Sequence, residues 1–403
     1  MELVNQILET ALWVVFGYFS LGTVYILFMA VSGLFPYRPK LKRSLDFKKM
    51  AVLIPGYKED AVIYEVARDA LEQNYPKRFY DVIVIADSFQ FNTIQLLRQL
   101  PIRVIEVSFD KSTKAKALNK ALDIIEPDGY ENIVVLDADN IMAKDFLRKI
   151  NQAFQNGWKV VQGHRIAKNK NTPFAILDAI NEEIINHFFR KAHRVLGMSA
   201  GLIGSAMAFE YHYFKQIMST IHDVAGEDKE IELKILRDRV GIEYLEDAYV
   251  YDEKVQNAKV FSKQRTRWIA SQVYYFKKYM LDGIWQLLTK GNVDFFDKAL
   301  QTFIPPRILM LGALTLLTGL AVIFPFMPHP LWWLMLLASV GFGLIISVPG
   351  YFFNKDLIKA ILHIPKAFFY MVKAMFSIKG AGRRFIHTPH TSSSELADSG
   401  QKR

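Results

Sequence analysis

Ile133-Val134-Val135-Leu136-Asp137-Ala138-Asp139 is the stretch that decides the fold, because four consecutive apolar residues end in two carboxylates. A short apolar run of this kind predicts a strand buried on both faces of a parallel sheet. Ligands bind beyond the carboxyl ends of such strands. Asp137 and Asp139 at that edge suit a hard cation, and Mg²⁺ or Mn²⁺ would link them to a diphosphate.

Outward from this strand, short apolar runs alternate with segments of helical spacing. This alternation predicts a mainly parallel sheet in an α/β domain, with the strand ends meeting at one crevice. The predicted strands are Ala51–Ile54, which ends at Pro55-Gly56, Asp81–Ala86, which ends at Asp87, Val104–Val107, and Ile133–Leu136. The predicted helices between them include Ala61–Gln73 and Lys114–Ile125.

Several polar segments follow these elements and carry candidate chemistry. Asp87 could accept hydrogen bonds from a nucleobase or cap the next segment. Lys114 begins a helix whose N-terminus suits a phosphate. Gly226-Glu227-Asp228 precedes a predicted helix over Ile231–Leu236, and a carboxylate there could deprotonate a hydroxyl or cap the helix. In Gln264-Arg265-Thr266-Arg267-Trp268, an arginine can neutralise a pyrophosphate and the tryptophan can stack on a sugar ring.

Membrane segments account for the uneven hydrophobicity of the 403-residue chain, of which 51% is apolar. Three runs without Lys, Arg, Asp or Glu predict transmembrane helices, since about 20 apolar residues cross a bilayer. They are roughly Ala11–Phe35, Ile308–Phe326 and Leu331–Phe353. Glu2 and the length of the first run argue against a signal peptide. Pro325, Pro328 and Pro330 separate the other two runs, which predicts a helical hairpin.

The basic residues indicate the orientation. They follow the first run at Arg38, Lys40, Lys42, Arg43, Lys48 and Lys49, and the third run at Lys355, Lys359 and Lys366. The positive-inside rule then places residues 36–307 and the C-terminus in the cytosol of a multi-pass plasma membrane protein. The net charge of +10 is explained by anionic membrane lipids, and no nucleic-acid signature accompanies it. The absence of cysteine excludes disulfides and thiolate metal sites.

Two amphipathic stretches, residues 276–303 and 356–378, mix apolar and lysine residues. Both patterns predict helices that lie in the membrane interface, although packing against the catalytic domain is the alternative.

Taken in order, the motifs resemble the membrane-bound inverting glycosyltransferases of family 2, which include the cellulose, hyaluronan, chitin and poly-N-acetylglucosamine synthases. The resemblance covers roughly residues 48–275 and rests on seven ordered motifs. They are Pro55-x-Tyr57-x-Glu59, Asp87, Lys114-Ala-x-Ala-Leu-Asn119, Asp137-x-Asp139, Gly204-Ser205, Gly226-Glu227-Asp228 and Gln264-x-x-Arg267-Trp268. Two details depart from the family pattern: Ala86 precedes Asp87, and Gly226-Glu227 precedes Asp228.

The resemblance implies a GT-A-type fold and a role for each matched residue. Asp139 would bind the Mg²⁺ or Mn²⁺ ion, and Asp137 the ribose, the diphosphate or the ion. Asp228 would be the catalytic base. Arg267 and Gln264 would act in transfer, and Trp268 would support the acceptor sugar. The UDP-sugar would be held by Pro55, Tyr57, Glu59, Asp87, Lys114, Gly204 and Ser205, and by Thr388 in a segment similar to a gating loop.

The expected organisation therefore has three parts. Residues 1–47 form a transmembrane helix with a basic linker, residues 48–275 a cytosolic GT-A domain, and residues 276–403 the interfacial helices, the hairpin and a tail. The first function hypothesis is inverting transfer to a growing β-linked polysaccharide. The alternative is transfer of one sugar to a membrane lipid. An inert sensor and a nucleotidyltransferase explain fewer of the motifs.

The polysaccharide hypothesis carries a structural requirement. A growing sugar chain needs a polar path, because sugar hydroxyls are costly to expose to hydrocarbon. Three spans without an ionisable residue can hardly line that path in a monomer. This hypothesis therefore requires a homo-oligomer, a channel partner, or interfacial helices that contribute to the pore.

Overall fold

The computed structural model describes residues 2–42, 45–221 and 226–377. At the centre of this part of the chain lies a sheet of eight strands. They are β1 Met50–Tyr57, β2 Tyr80–Asp87, β3 Arg103–Val107, β4 Asn132–Val135, β5 Ile141–Met142, β6 Val160–Ala167, β7 Met207–Glu210 and β8 Ile242–Asp252.

The strand order is β3-β2-β1-β4-β7-β6-β8-β5. Strands β3, β2, β1 and β4 are parallel, whereas β7 is antiparallel to both β4 and β6. The four predicted strands are confirmed within a few residues, and they form the parallel half. The mixed half was not predicted, because β5 and β7 have only two and four residues, and the longer β6 and β8 carry polar residues at buried positions, such as Gln162 and Glu243.

Helices cover both faces of the sheet and continue into an apolar C-terminal part. They are α1 Glu2–Ser32, α2 Ile63–Ala70, α3 Phe91–Leu97, α4 Lys114–Ile125, α5 Phe146–Gln155, α6 Pro173–Asn186, α7 His193–Val195, α8 Tyr211–Met218, α9 Glu227–Arg237, α10 Ala258–Lys290, α11 Val293–Gln301, α12 Arg307–Ile323, α13 Pro330–Ile346 and α14 Lys355–Phe376. A π-helical segment, His187–Ala192, joins α6 to α7.

Alternation along β1 explains the two layers of the core. Ala51 and Leu53 face α4, α8 and α9, while Met50, Val52 and Ile54 face α2 and α5. Successive side chains of a strand point to opposite faces, so an unbroken apolar run must be covered on both sides. A third apolar cluster joins α1, α6, α10, α12, α13 and α14.

The membrane prediction is met in part. Over the described residues, one helix segment, Gln6–Ser32, is long and apolar enough to cross a bilayer. Helices α12 and α13 contain 17 residues each and are shorter than the predicted runs, Ile308–Phe326 and Leu331–Phe353. Prolines explain the difference, because Pro325 and Pro328 break the first run and Pro349 ends the second.

Helix α10 differs most from its prediction. It runs without interruption through the predicted domain boundary at residue 275, and its C-cap is Gly291 in a left-handed conformation. Tyr275 and Tyr279 are buried in the catalytic core, whereas Leu281 and Leu288 are 80% and 77% exposed. One face of this helix therefore packs against the catalytic domain as in the second alternative, while the placement of its exposed face in the membrane interface stays a prediction.

We expect Phe209→Ala to destabilise the protein by about 3–5 kcal/mol, the usual cost of truncating a buried aromatic residue. Phe209 is fully buried in β7 and stacks on Phe214, with ring centroids 4.2 Å apart. Phe91→Ala is the matched control, because Phe91 is 72% exposed and surface changes stay within about 0.5 kcal/mol. Denaturant unfolding of the detergent-purified variants tests the difference, and equal stability would contradict the assigned core.

Candidate active site

The ends of β1 and β2 meet where the nucleotide was predicted to bind. Tyr57 pairs with Asp87 in the parallel register, and the Lys58 backbone N–H donates to the Asp87 carbonyl at 3.1 Å. The Asp87 side chain is 2% exposed and accepts a hydrogen bond from the Ser88 hydroxyl at 2.9 Å. The buried Glu59 lies between the end of β1 and the start of α2. Tyr57, Glu59 and Asp87 are therefore brought together.

Backbone strain is concentrated at this edge of the sheet. Four non-glycine residues of the described chain have positive φ, and three of them, Lys58, Ser88 and Ala206, directly follow predicted site residues. A left-handed conformation at such residues costs about 1–3 kcal/mol and is typical of functional sites. Gly56 also allows close packing, since a Cβ there would lie 2.7 Å from Phe89. These turns aim the strand ends into one crevice.

Lys114 connects three of the predicted segments. Its Nζ lies 2.5 Å from Asp137 Oδ1 and donates to the Gly204 carbonyl, also at 2.5 Å. Burial alone would lower the pKa of Lys114, but the neighbouring carboxylates of Asp137, Glu227 and Asp228 outweigh it and raise the pKa. Lys114 therefore stays charged at the N-terminus of α4, where it can meet a phosphate.

Asp137 and Asp139 follow β4 as predicted and are linked by their neighbours. The Asp137 backbone N–H donates to the Ser205 hydroxyl at 2.9 Å. Asp139 is buried and accepts a hydrogen bond from Asn140 at 2.9 Å. Arg165 lies 3.9 Å from the second oxygen of Asp137. Ser205 and Gly204 are thus part of the same site as the two carboxylates.

The residues present fit a divalent cation that is shared with a substrate. Within the described residues, no group of three His, Cys, Asp or Glu side chains could hold a metal ion. Mg²⁺, however, is usually held by one or two carboxylates together with substrate phosphates and water. Asp139 and Asp137 supply that number of oxygen ligands. A cation would therefore bind here together with a diphosphate.

Asp228 lies in the first turn of α9, after Gly226 in a left-handed conformation. Its carboxylate lies beside Gly204, where a Cβ would be 3.4 Å from Oδ2. Burial raises the pKa of Asp228, and Lys114 opposes part of that rise. A raised pKa makes the carboxylate a better proton acceptor. The predicted helix over Ile231–Leu236 is confirmed, but it begins earlier, at Glu227.

Helix α10 carries Gln264, Arg267 and Trp268 on consecutive turns. Gln264 Oε1 is buried and accepts no hydrogen bond from the described residues. Arg267 makes no ion pair with any described side chain and is partly exposed. Trp268 is 38% exposed. Arg267 and Trp268 are thus accessible at least in part, whereas the Gln264 oxygen is enclosed, and the roles of all three remain predictions.

Arg265, in the same motif, is engaged within the protein. It is buried, forms an ion pair with Asp178 of α6, and lies between the rings of Phe261 and Trp268. Its guanidinium carbon is 3.9 Å from the Trp268 ring centroid. One face of Trp268 is therefore covered by Arg265, and a sugar can stack only on the other.

A buried polar face of α6 was missed by sequence reasoning. Asp178 binds Arg265, Asn181 binds Arg307 at 2.8 Å, and Glu182 binds Arg165 at 3.0 Å. Glu183 accepts a hydrogen bond from Tyr351 at 2.8 Å. The available signal was five polar residues, Asn186 being the fifth, in an otherwise apolar helix, since buried polar and charged groups must be paired. Thr388, the remaining predicted donor contact, lies outside the described residues.

Comparisons with known proteins agree with this geometry. The family model described as "Glycosyltransferase like family 2" matches residues 48–271, which is more than half of the chain. The protein belongs to this glycosyltransferase family. The match ends within α10, just after Trp268. The predicted enzyme class and GT-A-like fold are therefore confirmed, whereas the polysaccharide synthase subtype is not.

Relatives of this family 2 glycosyltransferase include two proteins named beta-monoglucosyldiacylglycerol synthase, from Trichormus variabilis and a Nostoc species. Each is 25% identical over 288 residues, or 68% of this chain. A probable glycosyltransferase of Bacillus subtilis, YdaM, is 23% identical over 255 residues, or 60% of each chain. The alignment spans 59% of the length of the two synthases.

A solved structure shares the fold of this glycosyltransferase. It is the Pyrobaculum calidifontis mannosyltransferase PcManGT in complex with GDP-Man and Mn²⁺. The TM-score is 0.55 at 18% identity, and the alignment covers 85% of this chain and 97% of the other. At this identity the likeness concerns the fold alone.

Substitutions of the two arginines of the motif should have different effects, one on donor binding and the other on stability. We expect Arg267→Ala to weaken UDP binding by about tenfold, since a charge-assisted hydrogen bond contributes about 1.5–3 kcal/mol. Folding should be unaffected, because Arg267 has no partner among the described side chains. Arg265→Ala should instead destabilise the protein by about 3–5 kcal/mol, because Asp178 is left as an unpaired buried charge. Calorimetric UDP titration and thermal unfolding measure both effects, and reversed results would exchange the two roles.

We predict that Asp228→Asn lowers turnover by about 10²–10⁴-fold, the usual contribution of a general base, while UDP affinity stays near that of the wild type. Because the Asp228 pKa is raised, the acid limb of the wild-type kcat/KM profile should lie above the ordinary Asp value of about 3.9. Activity should be lost as pH falls through this limb. Equal losses of turnover and UDP affinity would assign Asp228 to binding or folding.

Proposed function

We propose that this glycosyltransferase transfers one sugar from a UDP-sugar to the hydroxyl of a membrane lipid, at the face of the membrane where the basic residues lie. The observation that carries the proposal is the path of α10. Gln264, Arg267 and Trp268 lie in its N-terminal half, and Phe276 further along stacks on Phe303 at 5.3 Å. Phe303 in turn contacts Tyr18 of the apolar helix α1 at 4.8 Å. Helix α10 thus links the proposed acceptor residues, through Phe276 and Phe303, to the candidate membrane helix.

The relatives support a lipid acceptor rather than a polysaccharide. Two of them are named as synthases of a glucosyl diacylglycerol, and their match extends over 288 residues. A polymer would need a polar path, and α12 and α13 contain no ionisable residue after Arg307. A lipid hydroxyl needs no such path, because its acyl chains stay in the bilayer. This proposal therefore requires neither an oligomer nor a channel partner.

We propose that α12 and α13 also cross the membrane beside α1. The helix α13 runs parallel to α1, since Trp333 contacts Phe16 at 4.9 Å and Gly343 lies against Ile26 and Ala30. Seventeen residues rise about 25 Å, near the lower limit for a span. Trp13 and Trp332 both pack on Phe16 and remain more than half exposed, as in an aromatic belt at one interface.

The helix α14 suits the opposite interface. Ala360, Ala367 and Ala374 recur every seven residues and are buried against the neighbouring helices. Lys359, Lys366 and Lys373 recur with the same period one residue earlier, while Ile358, Leu362 and Phe369 are exposed. An amphipathic helix with lysines beside an apolar face binds the headgroup region of anionic lipids.

The proposed reaction uses the site as follows. Asp228 accepts the proton of the acceptor hydroxyl, whose oxygen attacks the anomeric carbon of the donor. The bond from that carbon to the diphosphate breaks on the opposite side, and its electron pair leaves with the UDP. Arg267 and Lys114 stabilise the departing charge, and Trp268 holds the acceptor by its free face. A divalent cation bound at Asp139 would neutralise further negative charge on the diphosphate.

Product analysis tests the proposal. Detergent-purified protein is incubated with Mn²⁺, a panel of radiolabelled UDP-sugars, and vesicles with or without diacylglycerol, which carries the free hydroxyl that the proposal requires. We expect one organic-extractable product that carries a single sugar, forms only with the lipid, and is absent with Asp228→Asn. Long water-soluble chains that a glycanase degrades would overturn this proposal and support a polysaccharide synthase.

A further inference from the structure

Asn140 occupies the centre of the carboxylate site, although no motif includes it. It is 1% exposed, and its amide Nδ2 donates to Asp139 Oδ1 and to Asp252 Oδ1, each at 2.9 Å. Its Oδ1 accepts a hydrogen bond from Ser205 Oγ at 2.6 Å. Both amide hydrogens and the carbonyl oxygen are therefore used, and an amide can donate no more.

These bonds fix the geometry of both aspartates after β4. Asn140 binds the Asp139 carboxylate directly, and it reaches Asp137 through Ser205, whose oxygen accepts from the Asp137 backbone N–H at 2.9 Å. With one oxygen of Asp139 held by Asn140, the direction of the second oxygen is set. A carboxylate ligand whose orientation is fixed in advance binds a cation more tightly.

Asn140 also separates two buried carboxylates of like charge. Asp252 ends β8, and its other oxygen lies 2.5 Å from Lys254 and 3.8 Å from Arg165. Lys254 and Arg165 are both paired with Glu182 of α6, at 3.4 and 3.0 Å. Asp139 is thus connected, through one amide, to a paired network that spans β6, β8 and α6.

We propose that Asn140 is a positioning residue for the divalent cation of the donor site. It anchors Asp139 to Asp252 and Ser205 so that a carboxylate oxygen of Asp139 faces the diphosphate. The inference rests on the proposed donor chemistry, in which Asp139 binds the cation together with the nucleotide. It assigns no ligand role to Asn140 itself, because the Asp139 carboxylate supplies the ligand oxygen.

The experiment measures Mn²⁺ binding apart from turnover. Free Mn²⁺ is followed by electron paramagnetic resonance during titration of the detergent-purified full chain at saturating UDP. We expect Asn140→Ala to raise the Kd for Mn²⁺ by about 10–100-fold, the usual effect of losing a residue that orients a metal ligand. UDP affinity in EDTA should stay unchanged, and higher Mn²⁺ should restore much of the turnover, which a folding defect would not allow.

Asn132→Ala is the matched control. Asn132 is equally buried, at 1% exposed, and lies at the opposite end of β4, where its Nδ2 has no hydrogen-bond partner in the described chain. Its substitution should leave the Kd for Mn²⁺ unchanged. If Asn140→Ala does not fold, Ser205→Ala removes one of the anchors and should raise the same Kd to a smaller extent.

The outcomes separate the inference from the proposed function. An unchanged Kd for Mn²⁺ in a folded Asn140→Ala variant would overturn the positioning role while the donor chemistry stands. Equal losses of Mn²⁺ binding and of UDP binding in EDTA would overturn it as well, because they indicate a collapsed site. A wild-type protein that binds no Mn²⁺ with UDP, and transfers sugar in EDTA, would overturn the metal-dependent chemistry and the inference together.

Discussion

Repulsion among partly buried carboxylates is the constraint on which this site depends. Asp137, Glu227 and Asp228 all raise the pKa of Lys114, which shows that their charges converge on one cation. Lys114 binds the Asp137 carboxylate and the Gly204 carbonyl and so holds the end of β4 and the turn before β7 in one place. The site is therefore prepared for a positively charged ion, since the excess negative charge needs further compensation.

The parallel half of the fold and its site residues could be predicted from local patterns. Buried strands are continuous apolar runs, and each of β1, β2 and β4 delivers the polar residues that follow it to the same edge of the sheet. Tyr57 and Asp87 are adjacent because their strands pair in register, with no help from distant parts of the chain. The local sequence pattern was therefore sufficient to predict these strands and the site residues that follow them.

The mixed half and the support of the site could not be predicted in this way. Strand β7 pairs with β4 and β6, which are distant in the sequence. A strand of four residues is too short for its hydrophobic pattern to specify these partners. The polar face of α6 has meaning only when its partners are known, because Asp178 and Glu182 would be solvated on a free helix. The same holds for Arg265. From the sequence it could bind a substrate as well as Arg267 could, but its charge is paired with Asp178.

The geometry of Trp268 bears on the nature of the acceptor. Arg265 covers one ring face and is itself fixed by Asp178, so the ring cannot turn without breaking a buried ion pair. In the proposed reaction the acceptor meets a single, rigid surface on a helix that continues toward α1. A lipid headgroup can reach such a surface from the bilayer and leave by the same route after one transfer. A polymer would have to move past it by one sugar at each cycle and then find a polar exit, which the apolar helices α12 and α13 do not supply. The fixed platform and the apolar helices thus favour the same acceptor class for different physical reasons.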